Sequence, residues 1–439
     1  MEMTKARLSG LLLLLLSSGI FIFWGARLER NAVYGMIDFK AVYWGTRCLI
    51  QNCDPYQQNE LERVYLTEGG EDSSEFRPLR TSVTLYIYFP TASTLIAPFA
   101  MLPWGTAHLL WMTITAASMI LAAFLMWNLG ARRAPGLSIL LVCLVLSNCE
   151  FVFATGNTAG LAVSLCLVAV WCFLQQRFEL AGVLCLAVSL VLKPHDGGLI
   201  WLYFLLAGGA HRKRALQTLV VALALSLPSV LWITHVSPHW MQELHTNLLA
   251  NSSPGSLSDP RPANFDGRLP WTVIDLQTVF SVFRDDPRFY NLATYLTFGP
   301  LLLVWILVTL RSRFSETRAW LALAAIAALS MLPVYHRPYD AKLLLLTVPA
   351  CAMLWTEGGL IRWLALLVNA VAMVLTADIP LVLLDTLTKT IHPDSTLFMG
   401  QVATVVLGRP IPLILLVLCI FYLWVYAQRS RAGRDIQSN

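Results

Sequence analysis

The chain has 439 residues, of which 57% are hydrophobic and only 13% charged, with a formal net charge of +5. Soluble proteins average about 45–50% apolar and about 25% charged residues, so a soluble multidomain enzyme, a disordered chain and a coiled coil are excluded. The charge is too sparse to cover a water-exposed surface, and the chain reads as an all-α polytopic integral membrane protein. No basic patch interleaved with aromatics suggests nucleic acid; the arginines and lysines lie in short segments between apolar runs, as the positive-inside rule describes.

A spanning helix needs about 20 apolar residues. In chain order, such runs are predicted over 8–26, 106–128, 137–154, 157–174, 215–235, 292–311, 319–334, 341–356, 360–377 and 408–427. The first follows Lys5 and Arg7 as a signal peptide would, but Phe23 and Trp24 make a poor cleavage site. An uncleaved first helix with a cytoplasmic N-terminus is expected. Residues 83–102 carry Pro90 and Pro98, which interrupt a regular helix. Residues 181–208 are too long for one span and hold Lys193-Pro194-His195-Asp196 in the middle. The basic clusters all fall on the cytoplasmic side under two conditions. Residues 83–102 must start and end outside, as interfacial or re-entrant helices, and residues 181–208 must go up and return, with Lys193 to Asp196 at the outer turn.

The resulting prediction is a single membrane-embedded domain over 1–439, with about twelve membrane helices and both termini inside. Its outer loops cover 27–82, where amphipathic helices are expected, 236–291, and the shorter 378–407. No internal repeat is visible. Cysteines 143, 149, 166, 172, 185, 351 and 419 sit in apolar runs as small fillers. Cys48 and Cys53 lie in a polar segment and would bridge only if it faces an oxidising compartment.

Under this topology the unusual polar residues share the non-cytoplasmic face: Asp38, Gly156-Asn157, Lys193 to Asp196, and Tyr335-His336-Arg337-Pro338-Tyr339-Asp340. Ionisable groups at membrane depth are costly, so each needs a partner or a task. Asp38 follows the first run among Phe39, Tyr43 and Trp44; by position alone it suits a cap or a solvated charge as well as a site. Lys193 suits a snorkelling helix end, and His336 and Arg337 suit a cap with Asp340. Tyr335 and Tyr339 suit an interfacial aromatic belt, and Asp196 suits an ion-pair partner of Lys193. Gly156-Asn157 suits a turn and helix cap. Glu150, near the outer end of an apolar run, is costly there and is a candidate substrate contact.

Several short elements recur in a known order. Asp38-Phe39 after the first helix is followed by Asp54-Pro55-Tyr56, Tyr88-Phe89-Pro90, Gly156-Asn157, Leu192-Lys193-Pro194 and the run from Tyr335 to Asp340. Over roughly residues 8–360 the chain resembles family 87 of the glycosyltransferases (the DUF2029 group), which includes polyprenol-phosphate-mannose-dependent α-1,2-mannosyltransferases. A single proline in Tyr88-Phe89-Pro90-Thr91 departs from the family's common pair.

The resemblance implies the GT-C fold and an active site at the outer surface of a bacterial inner membrane. It implies transfer of a hexose, mannose first, from a polyprenyl-phosphate donor to a glycolipid or glycan acceptor, with Asp38 as the essential acid. Inverting transfer of this kind needs a general base for the acceptor hydroxyl and fixed cations for the leaving phosphate. Lys193, His195, His336 and Arg337 are the expected phosphate-binding residues, and Tyr43, Glu150, Asn157 and Tyr339 the further substrate contacts. Histidines 235, 239 and 245, with Glu243, Asp259 and Asp266, match no metal motif, so neither a metal nor a cofactor is expected. A transporter or flippase is the rival class; it would place its charges near the bilayer midplane on opposed helices, often in repeated halves. A scaffold subunit would leave Asp38 dispensable.

Overall fold

The computed structural model describes residues 2–438 apart from 33, 72, 74–76, 255, 257, 262–272 and 380–397. Asp266 and most of the 378–407 loop therefore lie outside the described residues. Helices and loops account for the described chain, and no strand occurs among the described residues.

Among the described residues, seven helices are long and apolar enough to cross a membrane: α1 (Glu2–Asn31), α6 (Trp104–Gly130), the two-part α7–α8 (Pro135–Leu146 and Glu150–Thr155), α9 (Thr158–Gln175), α12 (Gly209–Val236), α15 (Pro287–Arg311) and α20 (Pro410–Ser438). In α12 the side chains of Leu216, Val220, Leu223, Leu227 and Leu231 recur every three or four residues and are all exposed. A helix with its apolar face outward is unstable in water and at home in lipid. At the centre stands α16 (Glu316–Ser330), buried at every residue from Ala319 to Ser330. Its many alanines let α11 (Pro194–Ala207), α20 and α17 (Thr347–Glu357) approach closely.

The predicted runs 181–208 and 83–102 are both broken. Residues 181–208 become α10 (Glu179–Leu192) and α11, joined at Lys193, whose φ of −155° and ψ of 83° lie outside the helical region. Pro194 dictates the break: it denies its predecessor the helical conformation and is itself suited to a first helical position. Residues 83–102 divide into the end of α4 (Arg77–Thr84), a stretch without helix, a turn at Pro90–Ala92, and α5 (Ser93–Ala100). The predicted run 137–154 breaks between α7 and α8, where Ser147 and Asn148 turn their side chains back to the carbonyls of Cys143 and Leu144. Residues 341–356 begin as a 3-10 turn (Asp340–Leu346) before α17, and α18 (Gly359–Leu375) follows.

Between α1 and α6 lies an aromatic-rich layer of α2 (Ile37–Ile50), α3 (Gln58–Thr67), α4 and α5. Phe39 stacks on Trp111 of α6 with ring centroids 4.6 Å apart, and Tyr43 donates a hydrogen bond of 2.7 Å to the Leu102 carbonyl. Cys48 and Cys53 are joined as a disulfide, closing the end of α2 on the following turn. Trp240 and Asn247 of α13 (Trp240–Asn251) reach this layer, Asn247 donating to the carbonyls of Tyr56 and Tyr86 at 3.0 Å.

The start of α2 is tied to the α8–α9 junction. The Met36 N–H donates to the Ala154 carbonyl over 2.7 Å, and Trp111 donates its indole N–H to the Gly156 carbonyl over 2.9 Å. Gly156 takes φ of +63°, and a Cβ there would meet Met36 Cε and Phe39 Cβ at 2.8 Å. A side chain is excluded at Gly156 both by the left-handed backbone and by this approach.

Candidate active site

Where the ends of α1, α8, α9, α10 and α16 converge, polar side chains meet in one continuous chain. Asp38, in the first turn of α2, is partly buried. Its Oδ2 accepts 2.8 Å from Asn157 Nδ2, and its Oδ1 accepts 3.2 Å from the Tyr88 hydroxyl. Asn157 combines two tasks. Its Oδ1 caps α9 by accepting from the Ala159 N–H at 2.8 Å, while Nδ2 also reaches the Tyr339 hydroxyl at 3.0 Å.

Tyr339 links the acid to the cations. Lys193 Nζ lies over its ring, 4.9 Å from the centroid. The ammonium is in close contact with Asp340 Oδ1, while Asp196 Oδ2, the partner expected from the sequence, is 3.8 Å away. The other Asp340 oxygen accepts from the backbone N–H of Arg337 at 2.8 Å. The Arg337 guanidinium lies over Tyr335 with its Nε bonded to that hydroxyl, at the more open rim.

Beyond Lys193, His195 and His336 meet edge to face with centroids 4.7 Å apart. Both turn Nε2 toward Asp196 Oδ1, at 3.9 Å for His195 and 3.4 Å for His336. Burial by itself would lower the His336 imidazole, but the carboxylates of Asp196 and Asp340 outweigh it and raise the ring above its ordinary value. The loop bearing His336 is fixed by the segment before α14 (Leu276–Phe283): Ile274 N–H donates to the His336 carbonyl at 2.9 Å, and Leu276 N–H to the Leu332 carbonyl at 3.0 Å. Between them Asp275 is fully buried and capped onto Thr278, and desolvation pushes its carboxyl up to about 6.

Of the residues singled out in the sequence, the fold thus gathers Asp38, Asn157, Tyr339, Lys193, His195, His336 and Arg337. Tyr43 and Glu150 stand apart. Tyr43 is 2% exposed with its hydroxyl spent on Leu102. Glu150 is buried at the start of α8 beside Asp378 and Lys342, with neither carboxylate oxygen hydrogen-bonded. Lys342 itself is spent on the carbonyls of Asn148 and Thr376, at 2.8 and 3.1 Å. Tyr88 and Asp340 are the contacts that residue-by-residue reading missed; their signals were the Tyr-Phe-Pro element and the acid closing the 335–340 run. The loop residues His235, His239 and His245 form no three-ligand group among the described residues, whereas His195, Asp196 and His336 do.

A bundle that is helical throughout its described residues, with seven helices long and apolar enough to cross a bilayer and a buried polar cluster at one end, is that of a membrane protein. The model of glycosyltransferase family 87 matches residues 86–334, more than half of the chain. The protein belongs to that family and is a glycosyltransferase. No match was found among curated proteins or among solved structures.

Proposed function

We propose that the protein moves a hexose, mannose first by family, from a polyprenyl-phosphate donor to a glycolipid or glycan acceptor, with inversion and with Asp38 as general base. The observation that carries this reading is the placement of Asp38, a partly accessible carboxylate with both oxygens oriented by fixed donors, in one polar chain with Lys193. Asn157 and Tyr88 fix the carboxylate's direction and leave acceptor capacity on each oxygen for an incoming hydroxyl. As that hydroxyl attacks the anomeric carbon, Asp38 takes its proton and the C–O bond to the phosphate breaks with the electron pair on oxygen. The leaving phosphate gains charge, which in this reading Lys193, His195, His336 and Arg337 stabilise; their grouping around and beyond Tyr339 supports it.

The site belongs on the extracytoplasmic face of a bacterial inner membrane in this reading, with both chain termini in the cytoplasm. What supports it is charge asymmetry. The helix ends opposite the site carry Arg132, Arg133, Arg177, Arg212, Lys213, Arg214, Arg311, Arg313, Arg318 and Arg429 against the acids Glu179, Glu316 and Glu357. Lipid tails of donor and acceptor would reach the site from the bilayer beside it, as the outward apolar faces of α1 and α12 permit.

The test is Asp38→Asn, assayed in membranes with a polyprenyl-phosphate hexose. Loss of a general base lowers the rate by about 10²–10⁴-fold. Undiminished transfer by Asp38→Asn would remove the base assignment, and solute movement into vesicles without sugar transfer would favour a transporter.

A further inference from the structure

We propose that the groove between the start of α7 and the end of α17 holds the phosphate headgroup of an anionic phospholipid, in the leaflet opposite the polar site. The inference goes beyond sugar transfer and uses none of the residues gathered around Asp38. The groove has a volume of about 450 Å³ and is lined by Arg133, Pro135, Gly136, Leu137, Trp355 and Thr356 among others. It lies at the far end of the bundle from Asn157, because α7 starts there and leads through α8 to that residue.

Positive charge in the groove is unspent. Among the described residues neither Arg133 nor Arg362 has an ion-pair partner. Arg133 is exposed at the groove, its guanidinium fork suited to two phosphate oxygens. The Arg362 guanidinium lies 5.6 Å from the ring centroid of Trp355 and 5.0 Å from that of Trp363, and its Nε is buried without a hydrogen bond. The two indoles hold this cation in place without neutralising it. Glu357, the acid closest in sequence, is already taken by Arg429, whose Nη1 donates to Oε1 at 2.7 Å. The first turn of α7 adds partial positive charge: Pro135 has no N–H, and those of Gly136 and Leu137 find no backbone acceptor among the described residues.

The surroundings select a lipid over a soluble anion. On α18, Leu360, Trp363, Leu364 and Leu367 recur at helical spacing and are all exposed, an apolar stripe that starts level with the groove. Leu140 of α7 is exposed as well, and α7 packs against both α17 and α18. Trp355 and Trp363 meet edge to face with centroids 5.1 Å apart, so the charged groove and the apolar stripe are continuous. Tryptophan prefers the headgroup level of a bilayer. A free phosphate would use only the charged end, whereas a phospholipid uses both, its headgroup on the arginines and its chains along α18. Basic pockets between membrane helices are recognised sites for anionic headgroups.

The experiment uses the full-length protein in detergent, delipidated and incubated with phosphatidylglycerol or with phosphatidylcholine. Retained lipid per chain is read by native mass spectrometry after removal of free lipid. One tightly held phosphatidylglycerol is expected, preferred over phosphatidylcholine by at least about tenfold. Arg133→Gln and Arg362→Gln should each weaken its retention about fivefold, the worth of one basic residue at an anionic surface. Arg177→Gln, at the same end of the bundle but outside the groove, should leave retention unchanged. Arg133→Gln, at an exposed position, carries the test if loss of the stacked Arg362 prevents folding. Equal retention of the two lipids overturns the proposal, as does an equal loss in Arg177→Gln, which would mean that surface charge alone attracts the lipid. Displacement of phosphatidylglycerol by excess inorganic phosphate would overturn the choice of a lipid. Asp38→Asn should retain phosphatidylglycerol as the wild type does, so this claim and the general-base assignment stand or fall separately.

Discussion

Asn157 donates to Asp38 across 2.8 Å although the two residues are 119 positions apart, and the same side chain caps α9. Helix geometry and the acid's direction are therefore set by one residue. Asn157→Ser keeps a capping oxygen but loses the long amide donor. Transfer should fall about 10–100-fold, as expected for a misplaced reacting group, while thermal stability in detergent changes little. An equally large loss of melting temperature and of activity would mean that Asn157 acts only through the fold.

Lys193 is the hinge of the charge network, between α10 and α11 and between two carboxylates that are each 1% exposed. Lys193→Met should destabilise the protein by about 3–5 kcal/mol, because it leaves buried acids unpaired. Adding Asp340→Asn should recover much of that stability but none of the transfer. Melting temperatures and initial rates of the single and double variants check both halves, and recovery of transfer would remove Lys193 from the phosphate site.

Asp275 should make stability fall with rising pH. Its carboxyl moves from 3.8 to about 6 on burial, so the folded state holds the proton more tightly than the unfolded state. Below the unfolded value both states are protonated and no penalty exists. Stability then drops as pH rises from about 4 to about 6 and stays level above, a loss on the order of 3 kcal/mol. Asp275→Asn preserves the cap on Thr278 and should flatten this profile, with a higher melting temperature at pH 7. A steeper profile in the variant would contradict the assignment.

The bridge between Cys48 and Cys53 reports on location as well as stability. Both cysteines are buried near the end of α2, in the layer that carries Asp38. Cys48→Ser with Cys53→Ser should cost about 2 kcal/mol, the low end expected for a short loop. Peptide mapping without reductant should find the pair oxidised in protein taken from cells. Because such bridges persist in oxidising compartments, a reduced pair would argue against an extracytoplasmic site.

The chain itself made much of this legible, and for local reasons. Hydropathy marked the apolar helices, Pro194 marked the break at Lys193, Pro90 marked the break within 83–102, whereas Pro98 lies inside α5 without ending it, and Gly156-Asn157 announced a turn with a cap. Each depends on backbone sterics or solvent transfer, which neighbours in sequence fix without help from the rest of the fold. Family membership was readable from short motifs in order, although none is specific alone.

Partnership between distant groups was decided only by packing. Lys193 was expected to pair with Asp196, three residues on, yet its closest acid is Asp340, 147 positions away. Glu150 and Tyr43 looked as suited to the site as Asn157, but the break before α8 and the turn of α2 carry them elsewhere. His336 meets His195 and Asp196 because the loop after α16 is held by the segment before α14. Sequence states how strongly a residue resists burial in lipid or protein. Which charge relieves it depends on where helix ends converge, and that is set by side-chain packing along the whole length of each helix.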